Sequence, residues 1–117
     1  MKKLDCYLRT QRRGWGFSQR EVAFLLGFKD RSLVSRLELN KQNPNLKAAF
    51  GCEVLFGEAG KELFPRFYTK IQDDFMRRAK VLHTRLQREG SPEASKKLDL
   101  LDDALKRARK FTNEQEV

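Results

Sequence analysis

Apolar residues along this chain recur three and four positions apart, the period of an α-helix, while the strict alternation of a half-buried strand is absent and β-branched residues are sparse. The pattern predicts an all-α protein. A first helix is expected from about Leu4 to Arg13, with Leu4, Tyr7, Leu8 and Gln11 on one side, broken by Gly14-Trp15-Gly16. Trp15 reads as a core wedge under that helix. Ser18 stands where an N-cap belongs, its oxygen free to accept from the next turn, and opens a second helix, Gln19 to Leu26, with Val22, Ala23 and Leu26 inward. Gly27 ends it. Phe28-Lys29-Asp30 is a short turn, and Asp30 can cap a third helix, Arg31 to Leu39, whose inward residues are Val34 and Leu37. Asn40 tolerates the left-handed conformation that closes a helix. Pro44 and Asn45 start a fourth helix, Leu46 to Phe56, apolar at Leu46, Ala49, Phe50 and Phe56 and stopped by Gly57. A short fifth helix over Ala59 to Phe64 closes a first domain at residues 1–65.

Beyond Pro65 the pattern changes. Phe67, Ile71, Phe75, Ala79, Leu82 and Leu86 mark one long amphipathic helix. Gly90-Ser91-Pro92 is a stop and restart, with Ser91 as cap and Pro92 at the first helical position. Ala94, Leu98, Leu101, Leu105 and Ala108 then alternate fours and threes, a heptad-like stripe. Residues 66–111 are therefore expected to form a C-terminal helical hairpin, and residues 112–117 a polar tail. A second amphipathic region beyond a complete domain suits a homodimer interface or a protein partner.

Composition narrows the function. The 117 residues carry a net charge of +9. Residues 1–47 hold eleven Lys/Arg against four Asp/Glu, and the rest fourteen against twelve, so the excess sits in the first third. Such a skew suits a polyanionic partner there, since Lys and Arg on a binding face release counterions from phosphates; an inert basic surface is the alternative. No apolar run approaches the roughly 20 residues of a membrane span, and no apolar stretch follows the basic N-terminus, so a cytoplasmic, nucleoid-associated protein is expected, with no membrane partner. Cys6 and Cys52 form no CxxC motif and have no histidine nearby, which argues against a zinc site and for reduced thiols. His83, the single histidine, lies on a charged helix without a second ligand or a nucleophile. Asp73-Asp74 and Asp102-Asp103 are neighbours whose side chains diverge on a helix. Gly14-Trp15-Gly16 lacks the Lys-Ser/Thr of a phosphate loop. No enzyme, cofactor or metal is expected.

The third helix carries the candidate chemistry. It would present Arg31, Ser32, Ser35 and Arg36 outward. Arginine can grip the O6/N7 edge of guanine with two hydrogen bonds, and serine can meet several base edges. Two short helices joined by a tight turn suit duplex DNA, one bracing the backbone and the other entering the major groove; a plain helical hairpin with a solvated polar face is the bland alternative.

At these residues the chain resembles the lambda repressor/Cro-like helix-turn-helix family, also called the xenobiotic-response-element type. Leu8-Arg9-Thr10-Gln11-Arg12 through Ser18-Gln19 is similar to its L-R-x-x-R…S-Q opening, and Glu21-Val22-Ala23-Phe24-Leu25-Leu26-Gly27 to its E-L-A-x-x-L-G. Val34-Ser35-Arg36-Leu37-Glu38, Asn40-Lys41-Gln42-Asn43-Pro44 and Glu62-Leu63-Phe64 extend the likeness over about residues 4 to 66. The turn after Gly27 is one residue longer than the common pattern, which leaves the register at the recognition helix open by one. The resemblance implies a five-helix DNA-binding domain and a transcriptional regulator, most simply a repressor, that binds double-stranded DNA as a homodimer. It implies base or groove contacts for Arg31, Ser32, Ser35 and Arg36. Phosphate contacts fall to Gln19, Arg13, Lys29 and Lys41, with Gln19 also bracing the first recognition-helix residue. Arg12 and Glu38 would form a structural ion pair between the first and third helices. Glu53 replaces a small apolar residue and is expected to lie exposed, with an ion pair to a basic neighbour as the alternative. The alternative function is an antitoxin or adaptor whose residues 66–111 bind a partner protein while the N-terminal domain autoregulates.

Overall fold

A computed structural model describes the backbone of residues 3–116 and the side chains of residues 3–110. Among the described residues the regular structure is entirely helical: α1 (Leu8–Gly14), α2 (Gln19–Leu26), α3 (Ser32–Glu38), α4 (Leu46–Phe56), α5 (Gly60–Leu63), α6 (Pro65–Glu89) and α7 (Pro92–Glu116). None of these helices is long and apolar enough to cross a membrane. The chain divides into two compact units, Met1–Tyr68 and Thr69–Val117, so the division falls inside α6 rather than at Pro65.

In the first unit, α2 lies against both α3 and α4, α4 against α5, and α1 against α3. Leu8, Val22, Val34, Leu37, Cys52 and Leu63 are fully buried where these helices meet. Burying each of the larger aliphatic side chains stabilises the unit by roughly 1.5–3 kcal/mol. Local chemistry sets most helix ends. Ser18 Oγ accepts from the Glu21 amide at 3.1 Å while Glu21 Oε1 accepts from the Ser18 amide at 2.9 Å, a complete capping box. Gly27 closes α2 at φ 78°, and Asn40 takes φ 58° past α3 as its short polar side chain permits. Asn45 Oδ1 caps α4 through the Ala48 amide at 2.7 Å.

Several expectations give way. α1 starts at Leu8 instead of Leu4, because the Tyr7 amide donates to the Leu63 carbonyl at 2.8 Å and the Leu4 amide to Tyr7 Oη at 3.0 Å, which fixes the preceding residues outside the helix. Trp15 is 71% exposed. It occupies the C-cap of α1, and after the turn at Gly16 it is Phe17 that packs on the core. α4 turns its small residues Ala48, Ala49 and Cys52 inward and leaves Leu46, Phe50 and Val54 outside. The reason is close approach: a Cβ at Gly51 would collide with Leu26 Cδ2, so this face admits only small side chains. Glu53 is half-buried, with its carboxylate accepting from the Gly60 amide at the start of α5. Pro65 begins α6 rather than ending a segment, as proline's missing N–H allows at a first helical position.

In the second unit, Ala79, Leu86, Ala94, Leu105 and Ala108 are buried and Leu98 and Leu101 half-buried. The chain reverses at Gly90 (φ 66°), Ser91 Oγ caps α7 through the Ala94 amide at 3.1 Å, and His83 Nε2 lies 2.9 Å from Asp102 Oδ1. α7 continues through the expected polar tail to Glu116.

Candidate nucleic-acid interface

The candidate face is organised around one shielded ion pair. Arg12 of α1 donates to Glu38 of α3 through Nε at 2.6 Å and Nη2 at 3.1 Å, and its Nη1 donates to the Phe17 carbonyl at 2.9 Å. The two side chains are 10% and 3% exposed. Glu38 Oε1 also accepts from Gln19 Nε2 at 3.1 Å, and Gln19 Oε1 in turn accepts from Arg31 Nη1 at 3.0 Å. A carboxylate can only accept and a guanidinium can only donate, so the Gln19 amide has one orientation that satisfies both neighbours. The chain Arg12–Glu38–Gln19–Arg31 thus links the buried scaffold to an exposed arginine at the N-terminal end of α3.

Above this network lies an open depression of about 500 Å³. Arg9 and Arg13 reach it from α1, Arg20 from α2, and Arg31 and Ser35 from the third helix and its cap. The four arginines are exposed, and none pairs with a carboxylate among the described residues. A second depression of about 530 Å³ adjoins it and contains Lys29, Ser32 and the exposed ring of Phe24.

α3 is one residue shorter at each end than expected, with Arg31 as N-cap and Leu39 as C-cap. Asp30 does cap it, one position earlier than an N-cap side chain: Oδ1 accepts from the Ser32 amide at 2.8 Å. That hydrogen bond, reinforced by Lys29 and Arg36, holds the Asp30 carboxyl below its ordinary value. The structure brings Arg31, Gln19, Arg13 and Ser35 into one depression and Ser32 and Lys29 into its neighbour. Arg36 stands apart from both. Its Nε donates to Gln42 Oε1 at 2.6 Å, and its carbonyl accepts from the Lys41 amide at 2.9 Å, so Arg36, Lys41 and Gln42 group at the C-terminal end of α3.

Sequence reasoning missed Arg9 and Arg20. The signal was present for Arg9, since Arg9 and Arg13 are four apart and share a helix face. Arg20 could be assigned only once α2 had been set beside α3. The Lys47 ammonium is held within the fold: its Nζ donates to the Gly27 carbonyl at 3.1 Å and lies 5.3 Å from the Phe28 ring centroid, tying α4 to the end of α2.

Comparison of the chain with family models, with curated proteins and with solved structures finds no match. The functional reading therefore rests on the chemistry of this face.

Proposed function

We propose that the chain is a sequence-specific duplex-DNA-binding transcriptional regulator, acting as a repressor by occupying its site, with α3 as the helix that enters the major groove. In this reading α1–α5 form a helix-turn-helix domain of the lambda repressor/Cro-like type, and α6–α7 a helical hairpin that carries assembly. The observation that supports it best is the convergence of four arginines without carboxylate partners, from α1, α2 and the N-cap of α3, on the face where Arg31 is already held by Gln19. Phosphate neutralisation by such a set supplies affinity without sequence preference. Specificity then falls to the exposed Ser32 and Arg36 of α3, its N-cap Arg31 and the half-buried Ser35; a helix with its side chains is about 10–12 Å across, which a major groove about 12 Å wide can admit. Arg31, Ser32, Ser35 and Arg36 are the candidates for base edges, and Arg9, Arg13, Arg20, Lys29 and Lys41 for phosphates.

Selection of fragmented genomic DNA by the purified protein at near-physiological salt tests this, beside Arg31→Ala and Arg36→Ala. Enrichment of one site by the native chain is expected. Each substitution that removes a base contact should cost about 1–3 kcal/mol, roughly 5- to 150-fold in Kd, on that site alone. Binding that is salt-sensitive but equal on every sequence would refute specific readout.

A further inference from the structure

Residues 77–88 of α6 include Arg77, Arg78, Lys80, Arg85 and Arg88 and no carboxylate. All five cations are exposed. At 3.6 residues per turn they fall within roughly 160° of the helix circumference, on the side away from Ala79 and Leu86, which are buried in the second unit. We propose that this face of α6 is a second phosphate-binding surface for duplex DNA, additional to the arginine depression of the first unit. Such a role rests on the chain being a binder of duplex DNA and adds to it a contact that α1–α5 do not supply.

Folding gives no reason for this concentration of charge. Arg77 and Lys80, and again Arg85 and Arg88, are like charges three residues apart, a spacing that makes them neighbours on the helix surface and destabilises it. The helix dipole favours a cation only in the last turn, where Arg88 stands. Arg77 donates to Asp74 Oδ1 at 2.9 Å, but Arg78, Lys80, Arg85 and Arg88 have no ion pair among the described residues. His83, the other titratable residue of the segment, has its Nε2 2.9 Å from Asp102 of α7. The neighbouring helix is patterned differently: residues 93–110 of α7 mix six cations with four carboxylates, so that surface neutralises itself.

Length and chemistry select the partner. Residues 77–88 extend over about 16 Å of helix axis, a distance along which one strand of duplex DNA presents about five phosphates. Guanidinium forks and a lysine ammonium suit phosphate oxygens, and each phosphate they neutralise releases counterions. An anionic membrane is a poorer fit. A helix lying on a bilayer buries its apolar face there, but Ala79 and Leu86 are covered within the second unit, and Val81 is the one large apolar side chain on the basic side.

Affinity of the full chain for random-sequence duplex DNA, measured across a salt series, tests this without involving specific readout. One variant combines Lys80→Gln, Arg85→Gln and Arg88→Gln. A control combines Lys96→Gln, Lys106→Gln and Arg107→Gln, which removes the same charge from α7 at positions within four residues of a carboxylate. The α6 variant should lose about tenfold or more in affinity at near-physiological salt, and its slope of log affinity against log salt should shrink by about 2–3. The control should stay within about threefold of the native chain, since charges beyond a Debye length are screened. Far-UV circular dichroism should be unchanged in both, as expected for exposed positions. An α6 variant that binds like the native chain, or a control that loses as much, would overturn the α6 surface and leave the arginine depression standing. Salt-sensitive binding to phosphatidylserine vesicles that is lost in the α6 variant while duplex binding is unchanged would overturn it in favour of a membrane. A native chain that binds no duplex would overturn both this surface and the DNA-binding function.

Discussion

Arg12→Leu isolates the energetic centre of the candidate face. Leucine keeps most of the apolar stem but removes three donors, two on Glu38 and one on the Phe17 carbonyl. The Glu38 side chain is 3% exposed, so water cannot take their place, and the carboxylate keeps only the Gln19 amide as a partner. Removing one member of a buried pair costs roughly 3–5 kcal/mol, mostly the desolvation of the charge left behind. That is a large part of the 5–15 kcal/mol typical of a whole domain. Because the chain forms two units, a single unfolding curve mixes them. Both cysteines are buried in the core of the first unit, so pulsed thiol labelling along a urea titration reads that unit by itself. The labelling midpoint of Arg12→Leu should fall by on the order of 2 M urea. Arg12→Leu combined with Glu38→Leu removes both charges and should recover most of the loss, since a buried pair contributes little net stability over apolar side chains of similar volume. A single variant within about 1 kcal/mol of the native chain, or a double variant no better than the single, would show that the pair is screened by water and refute the reasoning.

Gly51→Ala should lower the same midpoint although alanine favours a helix by about 1 kcal/mol, because overpacking against Leu26 typically costs 1–3 kcal/mol; a stabilised variant would mean that Leu26 moves freely. Burial first, and then the neighbouring Cys6, push the Cys52 thiol from 9.0 up to about 12. The unfolded chain therefore ionises Cys52 before the folded one does, so this contribution to stability is intact below pH 9.0 and declines as pH rises from there toward about 12. The thiol-labelling midpoint repeated above pH 9.0, reported by Cys6 in Cys52→Ala, should show a shallower decline in that variant than in the native chain. Arg9→Ala and Arg20→Ala should each reduce the salt dependence of DNA affinity by about one phosphate contact without reordering the preferred sequences; a change in sequence preference would move that arginine to a base.

The helices were largely legible in the sequence because their ends are written in local chemistry. Ser18 with Glu21, Gly27, Asn40, Asn45, Gly57 and Ser91 each act within a few residues of their own position, and α2 and α4 run between the residues expected. The Arg12–Glu38 link was legible only through resemblance, since nothing in a 26-residue separation announces a contact.

What the sequence by itself determined is the helical order of the chain, its stops and restarts, and the concentration of positive charge in its first third. Only the tertiary structure decided which residues face which neighbour. It gave the inward place to Phe17 rather than Trp15, turned Phe50 and Leu46 outward, and drew Glu53 to the Gly60 amide. It also gathered Arg9, Arg13, Arg20 and Arg31 from separate segments into one depression. The physical reason is range. Caps and glycine turns are settled by atoms a few bonds away, whereas the exposure of a side chain depends on how closely another helix can approach, and that distance is set by residues far along the chain, as at Gly51 and Leu26.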